Sequence, residues 1–389
     1  MDFLKIPTPA YIYDLDLLEK TVDLAVREAN IYGFRLHYAM KANSHPRILQ
    51  VMKDKELGVD CVSGNELTRA IDQGFEPADI VFAGVGKTDE ELLKAIRLGI
   101  FSINCESLEE LDVIGQLSDR HQLTASVSLR VNPDIDGHTH AKITTGLRSN
   151  KFGISEEQLG KAINFCAEHP FVQLVGLHFH IGSQINAPEP FRQLAIKASN
   201  IWEKHRLSQL GATSLNLGGG LGINYQDPER FPFPDFKSFF HLMATHLRLP
   251  EGVEVRFEPG RSLVGQCGTL ATRVLFVKKA TDRQFVVVDA GMTELLRPSL
   301  YKASHKIVNP VSAKLAENYD IVGPLCESSD VFATDYPLPL TSRGDILLIR
   351  SCGAYAQSMS LRYNLRDSAS EIFVHNRTPA SCTLPQNEL

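Results

Sequence analysis

Lys41 lies near the end of the run Arg35-Leu36-His37-Tyr38-Ala39-Met40-Lys41-Ala42-Asn43. A lysine closing an apolar, β-like stretch is expected to bury its stem and leave its ammonium at a sheet edge. Burial disfavours the charged form, so such an amine can become a nucleophile near neutral pH. The chemistry open to it is a Schiff base with a carbonyl compound. A second constellation is Leu217-Gly218-Gly219-Gly220-Leu221-Gly222, where adjacent glycines let backbone N–H groups approach an anion closely. Taken alone, a triple-glycine turn is more often a flexible corner than a ligand site. Gly260-Arg261-Ser262 adds further N–H groups and a guanidinium fork, and the two placements agree on a phosphate. Beside that loop stands Glu258, a carboxylate that needs a cationic or donor partner. It could keep a proton on a ring nitrogen, or form a salt bridge with Arg261 or Arg130. A reactive amine, a phosphate cradle and a carboxylate for a pyridine nitrogen together point to pyridoxal 5′-phosphate, an electron sink for carbanions.

Other groups are less telling by themselves. His178 and His180 alternate, so both point to one face of a strand. His180, at the strand end, is better placed to stack on a cofactor ring. No Asp or Glu within the strand completes a metal-ligand set, so no metal is expected. Cys326, in the polar loop Gly323-Pro324-Leu325-Cys326-Glu327-Ser328-Ser329-Asp330, reads as an ordinary free thiol unless a site surrounds it. Tyr355 and the stretch Arg297-Pro298-Ser299-Leu300-Tyr301 are unremarkable without context.

These residues must be positioned by a scaffold. β-like runs recur at 35–40, 58–62, 80–84, 100–104, 125–131, 173–179, 213–217 and 253–257, with helix-like segments between them. Thr88 precedes one helix, Ser107 opens another through a capping box with Glu110, and Ser155 starts a third. Eight β/α units suggest a closed (β/α)8 TIM barrel; periodicity alone also allows an open doubly wound sheet. The strand ends favour the barrel. Lys41, Asp60 with Ser63, Arg130 with Asn132, His180 with Ser183, the glycine run and Glu258 each follow a strand, and a barrel gathers such ends on one rim. After residue 265 the strand-like segments 269–277, 284–289, 319–322, 345–350 and 371–374 have few helices between them. They read as a mostly antiparallel β-domain of sandwich or barrel type. The expected division is a cofactor-binding barrel over 30–265 and a β-domain of 1–29 and 266–389, with a strand near Pro7–Tyr13 joining the C-terminal sheet.

The chain has 389 residues and a formal net charge of −6, without a basic cluster, which argues against a nucleic-acid surface. No apolar run reaches membrane-spanning length, and the N-terminus lacks the pattern of a signal peptide. Seven scattered cysteines without a CxxC pair read as reduced thiols of a cytoplasmic protein.

Taken together the motifs resemble the diaminopimelate decarboxylase family, in the alanine-racemase-like class (fold type III) of pyridoxal phosphate enzymes. The matching pieces are Tyr38–Asn43, Asp60–Glu66, Phe82–Lys87, Arg130–Pro133, Thr145-Gly146 with Lys151-Phe152-Gly153, and His178–Ser183. Leu217–Gly222, Glu258–Arg261, Cys326-Glu327-Ser328 and Gly353-Ala354-Tyr355 follow in the family's order, so the likeness spans nearly the whole chain.

The resemblance implies a decarboxylase that converts meso-2,6-diaminoheptanedioate to L-lysine and carbon dioxide, the last step of lysine biosynthesis. It implies Lys41 as the Schiff-base lysine, His180 as the residue stacked on the ring and Glu258 as the partner of the ring nitrogen. Ser183, Gly218, Gly219, Gly220, Gly260 and Arg261 are implied phosphate contacts. Asp60 and Arg130 are further cofactor-site residues, and Tyr355 touches cofactor and substrate. Cys326 is the implied acid for the α-carbon. Cys326 and Glu327 reach the neighbouring subunit's site in the family, so a homodimer is implied. For the substrate's far end, Arg297 and Arg261 suit a carboxylate, Glu327 an ammonium, and Tyr301 adds a hydrogen bond.

Two departures are visible. Met40 stands where the family commonly has valine, and Ala356–Asn364 replaces an Asn-rich stretch. Rival readings are an ornithine/arginine or carboxynorspermidine decarboxylase, whose wholly cationic substrate end Arg297 would repel, and a racemase, which would prefer a cation where Glu258 stands. A non-catalytic relative is a third, opposed by intact Lys41, Glu258 and Cys326.

Overall fold

The computed structural model describes residues 5–136, 150–375 and 378–380; Thr145-Gly146 and Cys382 lie outside them. The chain forms two units, one of Val22–Gly222 with Asp235–Ser262, the other of Met1–Thr21, Ile223–Pro234 and Leu263–Leu389.

In chain order, β1 is Ala10–Asp14, and the first unit contains β2 (Arg35–Ala39), β3 (Gly58–Cys61), β4 (Ile80–Phe82), β5 (Ser102–Cys105), β6 (Ala125–Arg130), β7 (Val172–His178), β8 (Ser214–Asn216) and β9 (Glu254–Phe257). These eight parallel strands, β2 to β9, close into a barrel in sequence order. The closing pair sets Leu36 against Phe257, which excludes the open sheet. All eight expected strands are present.

The helices between them start where local chemistry satisfies the first free N–H groups. Thr88 and Glu91 form a full capping box before the helix Asp89–Leu98. At Ser107 only half the expected box forms: its Oγ accepts from Glu110 N–H at 3.1 Å. The Glu110 carboxylate goes instead to Glu106 N–H and Lys87 Nζ, both at 2.7 Å. A buried ammonium offers it a stronger partner than the Ser107 amide. The helix Phe236–His246 packs through Phe239 and Phe240 on Phe257, with ring centroids 5.5 and 5.3 Å apart. This binds the last barrel strand to its covering layer.

Inside the barrel the side chains are polar where branched aliphatics usually dominate. Alternation along the strands places them in two tiers. The lower holds His37, Ser102, Ser128, Ser214 and Arg256, all buried. Ser102 Oγ donates to Ser128 Oγ at 2.7 Å, and Arg256 Nη1 lies 2.8 Å from His37 Nε2. His37 Nδ1 lies 3.1 Å from the Asp79 carbonyl and donates to it, so Nε2 accepts from Arg256 and the ring is neutral. Burial, seconded by the Arg256 charge, lowers the His37 pKa to about 4, in agreement. Two residues further along each strand lies the upper tier: Asp60, Asn104, Arg130, His178, Asn216 and Glu258.

The other unit has β10 (Gly268–Lys279), β11 (Gln284–Val288), β12 (Ile307–Val308), β13 (Ala316–Val322), β14 (Val331–Pro339), β15 (Ile346–Arg350), β16 (Ser370–His375) and β17 (Thr378–Ala380). With β1 they form one sheet, ordered β14-β13-β11-β10-β1-β16-β17, with β15 pairing β10 and β12. It is mostly antiparallel, as expected, with two parallel pairs, β1 with β16 and β11 with β13. Its core includes Ile12, Ala271, Ile346 and Leu348. No helix among the described residues is long and apolar enough to cross a membrane.

Candidate active site

Lys41 sits on a 3-10 turn, Met40–Ala42, directly after β2 rather than on the strand itself. Its side chain is 35 % exposed, and Nζ lies 2.8 Å from Asp60 Oδ2. The ammonium expected at a sheet edge is an ion pair with a neighbour on β3. Asp60 is fully buried, and its Oδ1 has no protein partner. Burial and then the Glu258 charge push its pKa up to about 6 against the pull of Lys41.

Glu258 follows β9 and is 4 % exposed. The anticipated salt bridges to Arg261 or Arg130 do not form. Asn216 Nδ2 donates to Glu258 Oε1 at 2.7 Å, Asn104 Nδ2 reaches the same oxygen at 3.4 Å, and His178 Nε2 lies 3.1 Å from Oε2. Burial alone would raise the pKa, but the His178 contact, Lys41 and His180 together hold it well below the carboxylate range. Arg130 pairs instead with Glu106, Nη1 to Oε1 at 2.5 Å, and lies 4.7 Å from the Phe152 ring centre. Both are consequences of barrel closure. His178 on β7 is the register partner of Arg130 on β6 and of Asn216 on β8.

His180 extends beyond β7 and accepts a hydrogen bond at Nδ1 from Gly219 N–H, 3.2 Å away. An acceptor at Nδ1 leaves the ring proton on Nε2, so the imidazole is neutral. Burial, then the Arg130 and Lys41 charges, lower its pKa well below the usual histidine value. The glycine loop departs from expectation. Gly218 N–H binds Asn216 Oδ1 at 2.9 Å and Gly219 N–H binds His180, so two of the three amides are engaged internally. The glycines serve close packing as well: a Cβ on Gly219 would come 2.2 Å from the Glu258 carbonyl oxygen. The loop is stitched to the preceding one, after β7, by Ile185 N–H to Gly220 O at 2.9 Å. On that loop Ser183 Oγ accepts from Arg261 Nη2 at 3.0 Å. Gly260 packs between Ala39 and Ala42, where a Cβ would meet theirs at 3.0 and 3.1 Å. It thereby anchors the turn bearing Lys41.

This donor set fits pyridoxal phosphate. A primary amine, a neutral imidazole, a donor-ringed carboxylate and a Ser–Arg pair beside a glycine turn lie in one barrel unit. Buried polar atoms without a protein partner, Asp60 Oδ1, Asn104 Oδ1 and His178 Nδ1, belong to the same tier.

The other expected site residues belong to the β unit. Arg297 is buried, with Nη1 2.7 Å from His305 Nε2 and its guanidinium 4.5 Å from the centre of the Tyr225 ring. His305 Nδ1 donates to the Arg350 carbonyl at 2.8 Å, which fixes its tautomer and so orients Arg297. Tyr301 ends the same short helix, Arg297–Tyr301. Cys326 is exposed. Its loop is pinned by buried Asp330, which accepts from Leu325 N–H at 2.9 Å and Met292 N–H at 2.6 Å. Glu327 accepts from Tyr363 Oη at 2.8 Å. Tyr355 has a left-handed backbone, φ 55°, a conformation that non-glycine residues adopt chiefly where surroundings impose it.

Sequence reasoning passed over three residues, Asn104, Asn216 and Glu106, and gave His178 no role of its own. Glu106 accepts from Gly153 N–H at 3.0 Å as well as from Arg130. The strand alternation that singled out His180 also placed His178 on the same face.

A family model, "Pyridoxal-dependent decarboxylase, pyridoxal binding domain", matches residues 18–265. A diaminopimelate decarboxylase of Bacteroides thetaiotaomicron is 44 % identical over 366 residues, 94 % of this chain and 95 % of that one. The crystal structure of the Helicobacter pylori diaminopimelate decarboxylase complexed with L-lysine superposes with a TM-score of 0.90 at 37 % identity, covering 96 % of this chain and 93 % of the other. The M. jannaschii diaminopimelate decarboxylase in complex with L-lysine gives 0.89 at 33 % identity, covering 96 % and 89 %. Identity of this extent, over a barrel whose strand ends bear the whole donor set, establishes that the chain belongs to the diaminopimelate decarboxylase family of pyridoxal-dependent decarboxylases.

Proposed function

We propose that this protein decarboxylates meso-2,6-diaminoheptanedioate to L-lysine and carbon dioxide with pyridoxal 5′-phosphate as cofactor. The observation that carries the reading is the Lys41–Asp60 pair on a barrel rim shared with the donor-ringed Glu258. The relatives' names and the L-lysine in two related structures favour this substrate over the ornithine, arginine and carboxynorspermidine alternatives. Glu258, an anion at the place where a racemase would want a cation, disfavours racemisation.

When bound, pyridoxal phosphate supplies a protonated ring that accepts the electron pair of the breaking Cα–carboxylate bond. The chain's own residues do the rest. Lys41 Nζ is the attachment point, and Asp60 Oδ2, 2.8 Å away, takes the proton that the amine sheds to become nucleophilic. Neutral His180 offers a flat face. Ser183, Arg261 and the Gly218–Gly220 turn hold the phosphate. Glu258 keeps a proton on the ring nitrogen. Arg297, Tyr301, Glu327 and Tyr355 select the substrate, and Cys326 Sγ returns a proton to the α-carbon after carbon dioxide leaves. The assembly is a homodimer in which Cys326 and Glu327 serve the other subunit's site. The setting is the cytoplasm, where reduced thiols persist.

Carbon dioxide release from purified protein tests the reading, with the meso diaminoacid, ornithine and arginine compared and with cofactor added or withheld. Cofactor-dependent release from the diaminoacid alone is expected; faster turnover of ornithine or arginine would overturn the substrate assignment. Arg297→Leu removes a charge-assisted contact of about 3 kcal/mol, or about 100-fold in kcat/KM for the diaminoacid. Unchanged turnover would show that Arg297 is not in the pocket. Cys326→Ala is expected to lower kcat by about 100-fold, the scale of one general acid, with cofactor absorbance intact. Solvent deuterium incorporation at the product α-carbon locates the defect.

A further inference from the structure

The Glu258 carboxylate is surrounded by donors only. Asn216 Nδ2 at 2.7 Å and Asn104 Nδ2 at 3.4 Å face Oε1, and His178 Nε2 at 3.1 Å faces Oε2. With the His178 proton on Nε2, all three groups face the carboxylate as donors, so the ionised form is the one the site solvates. His178 is distinct from the two amides. It is 1 % exposed, the sole partner of Oε2 among the described residues, and the group through which a charge can be shared. Its place is set by the strand ladder, since it is the register partner of Asn216 on the adjacent strand. It is not the ring that binds Gly219 N–H; that is His180, two residues on and also beyond the strand end.

We propose that His178 is a positioning residue for Glu258: its Nε2–H orients the carboxylate and keeps it anionic, and through it keeps the cofactor ring nitrogen protonated. The inference rests on the pyridoxal phosphate reading of the site. The charged and titratable groups around the pair are Asp60 and Arg130 on other strands, Lys41 on the turn after β2 and His180 beyond β7, with His37 one tier below. Of these, Asp60 is the competitor for a proton. Two carboxylates share one buried tier, and the donors on Glu258 make Asp60 the one that accepts a proton when one is shed nearby. Loss of the His178 donor shifts that preference toward Glu258. A protonated Glu258 can no longer stabilise the pyridinium by charge.

The test is holoenzyme assembled with ring-15N pyridoxal phosphate, comparing wild type, His178→Phe, His178→Met and His178→Gln. The readouts are the nitrogen chemical shift, borohydride labelling of Lys41, and kcat. Wild type should give a protonated ring nitrogen. In the Phe and Met variants Lys41 should still be labelled, the nitrogen signal should move to the unprotonated range across neutral pH, and kcat should fall by about 100-fold, as for loss of one preorganised donor. His178→Gln, which retains an N–H donor, should recover most of both. The Met variant covers the case in which Phe does not fold. A protonated nitrogen in cofactor-loaded Phe or Met protein would overturn the role given to His178. Absence of label on Lys41 in wild type would instead overturn the cofactor reading beneath it.

Discussion

Lys41→Ala protein should show no steady turnover, a loss of at least about 10⁴-fold, and no borohydride-stable cofactor. Lys41 Nζ is the amine held on the turn after β2 beside Asp60, so no neighbouring group can take over its covalent role. The same substitution has a second consequence for stability. Asp60 is fully buried, and its carboxyl is already pushed up to about 6 even with the ammonium 2.8 Å away. A raised acid pKa means that the folded state holds a proton which the unfolded state, with an aspartate near 3.9, has released. Between about pH 4 and pH 6 the Asp60 contribution therefore falls as pH rises. Without the Lys41 charge this trend steepens and extends to higher pH. Thermal melts of cofactor-free protein across pH 4 to 8 should show a variant whose deficit relative to wild type grows with pH. A constant deficit would mean that the Lys41–Asp60 pair is electrostatically unimportant, and retained turnover would refute the covalent role.

Glu258→Gln is the second large effect, with kcat expected to fall by about 10²- to 10³-fold while Lys41 remains labelled. The substitution keeps volume and removes the charge that stabilises a ring proton. Its amide also turns an N–H toward Asn216 or His178, both of which donate to the native carboxylate. Glu258 behaves oppositely to Asp60 with pH. Its pKa is held below the ordinary glutamate value, about 4.3, so its stabilising contribution is present above that value and lost as pH falls through the folded one. The stability difference between wild type and Glu258→Gln should therefore be greatest at neutral pH and shrink on acidification. Wild-type kcat in Glu258→Gln would show that no charge is needed at the ring nitrogen. Two carboxylates driven apart in this way are what acid–base division of labour requires.

The parts of the fold legible in the chain are those governed by contacts a few residues apart. The β-like runs marked β2 to β9, and the cap candidate Thr88 marked a helix start, to which the structure adds a full capping box with Glu91. The strand β14 escaped notice because Asp335, Pro337 and Pro339 carry poor β signals. It is tolerated because β14 is an edge strand, where a missing N–H costs least. Two-residue β12 is too short to leave a periodic trace. The glycine run was visible as a turn, yet its internal use of two N–H groups was not, because the acceptors are the Asn216 side chain and His180 in the loop after β7.

By itself the sequence determined the alternation of eight strands and helices, the later run of β-segments, and the residue types at each strand end. Alternation and capping are encoded within a turn or two of chain, so they can be read locally. Tertiary structure alone decided which groups meet. Glu258 takes its donors from residues 154, 80 and 42 positions earlier, and Arg130 goes to Glu106 in its stead. Those meetings depend on how the barrel closes and on the stagger of its strands. A cross-strand register is a property of the closed sheet, and a buried charge settles on whichever donors that closure brings within reach.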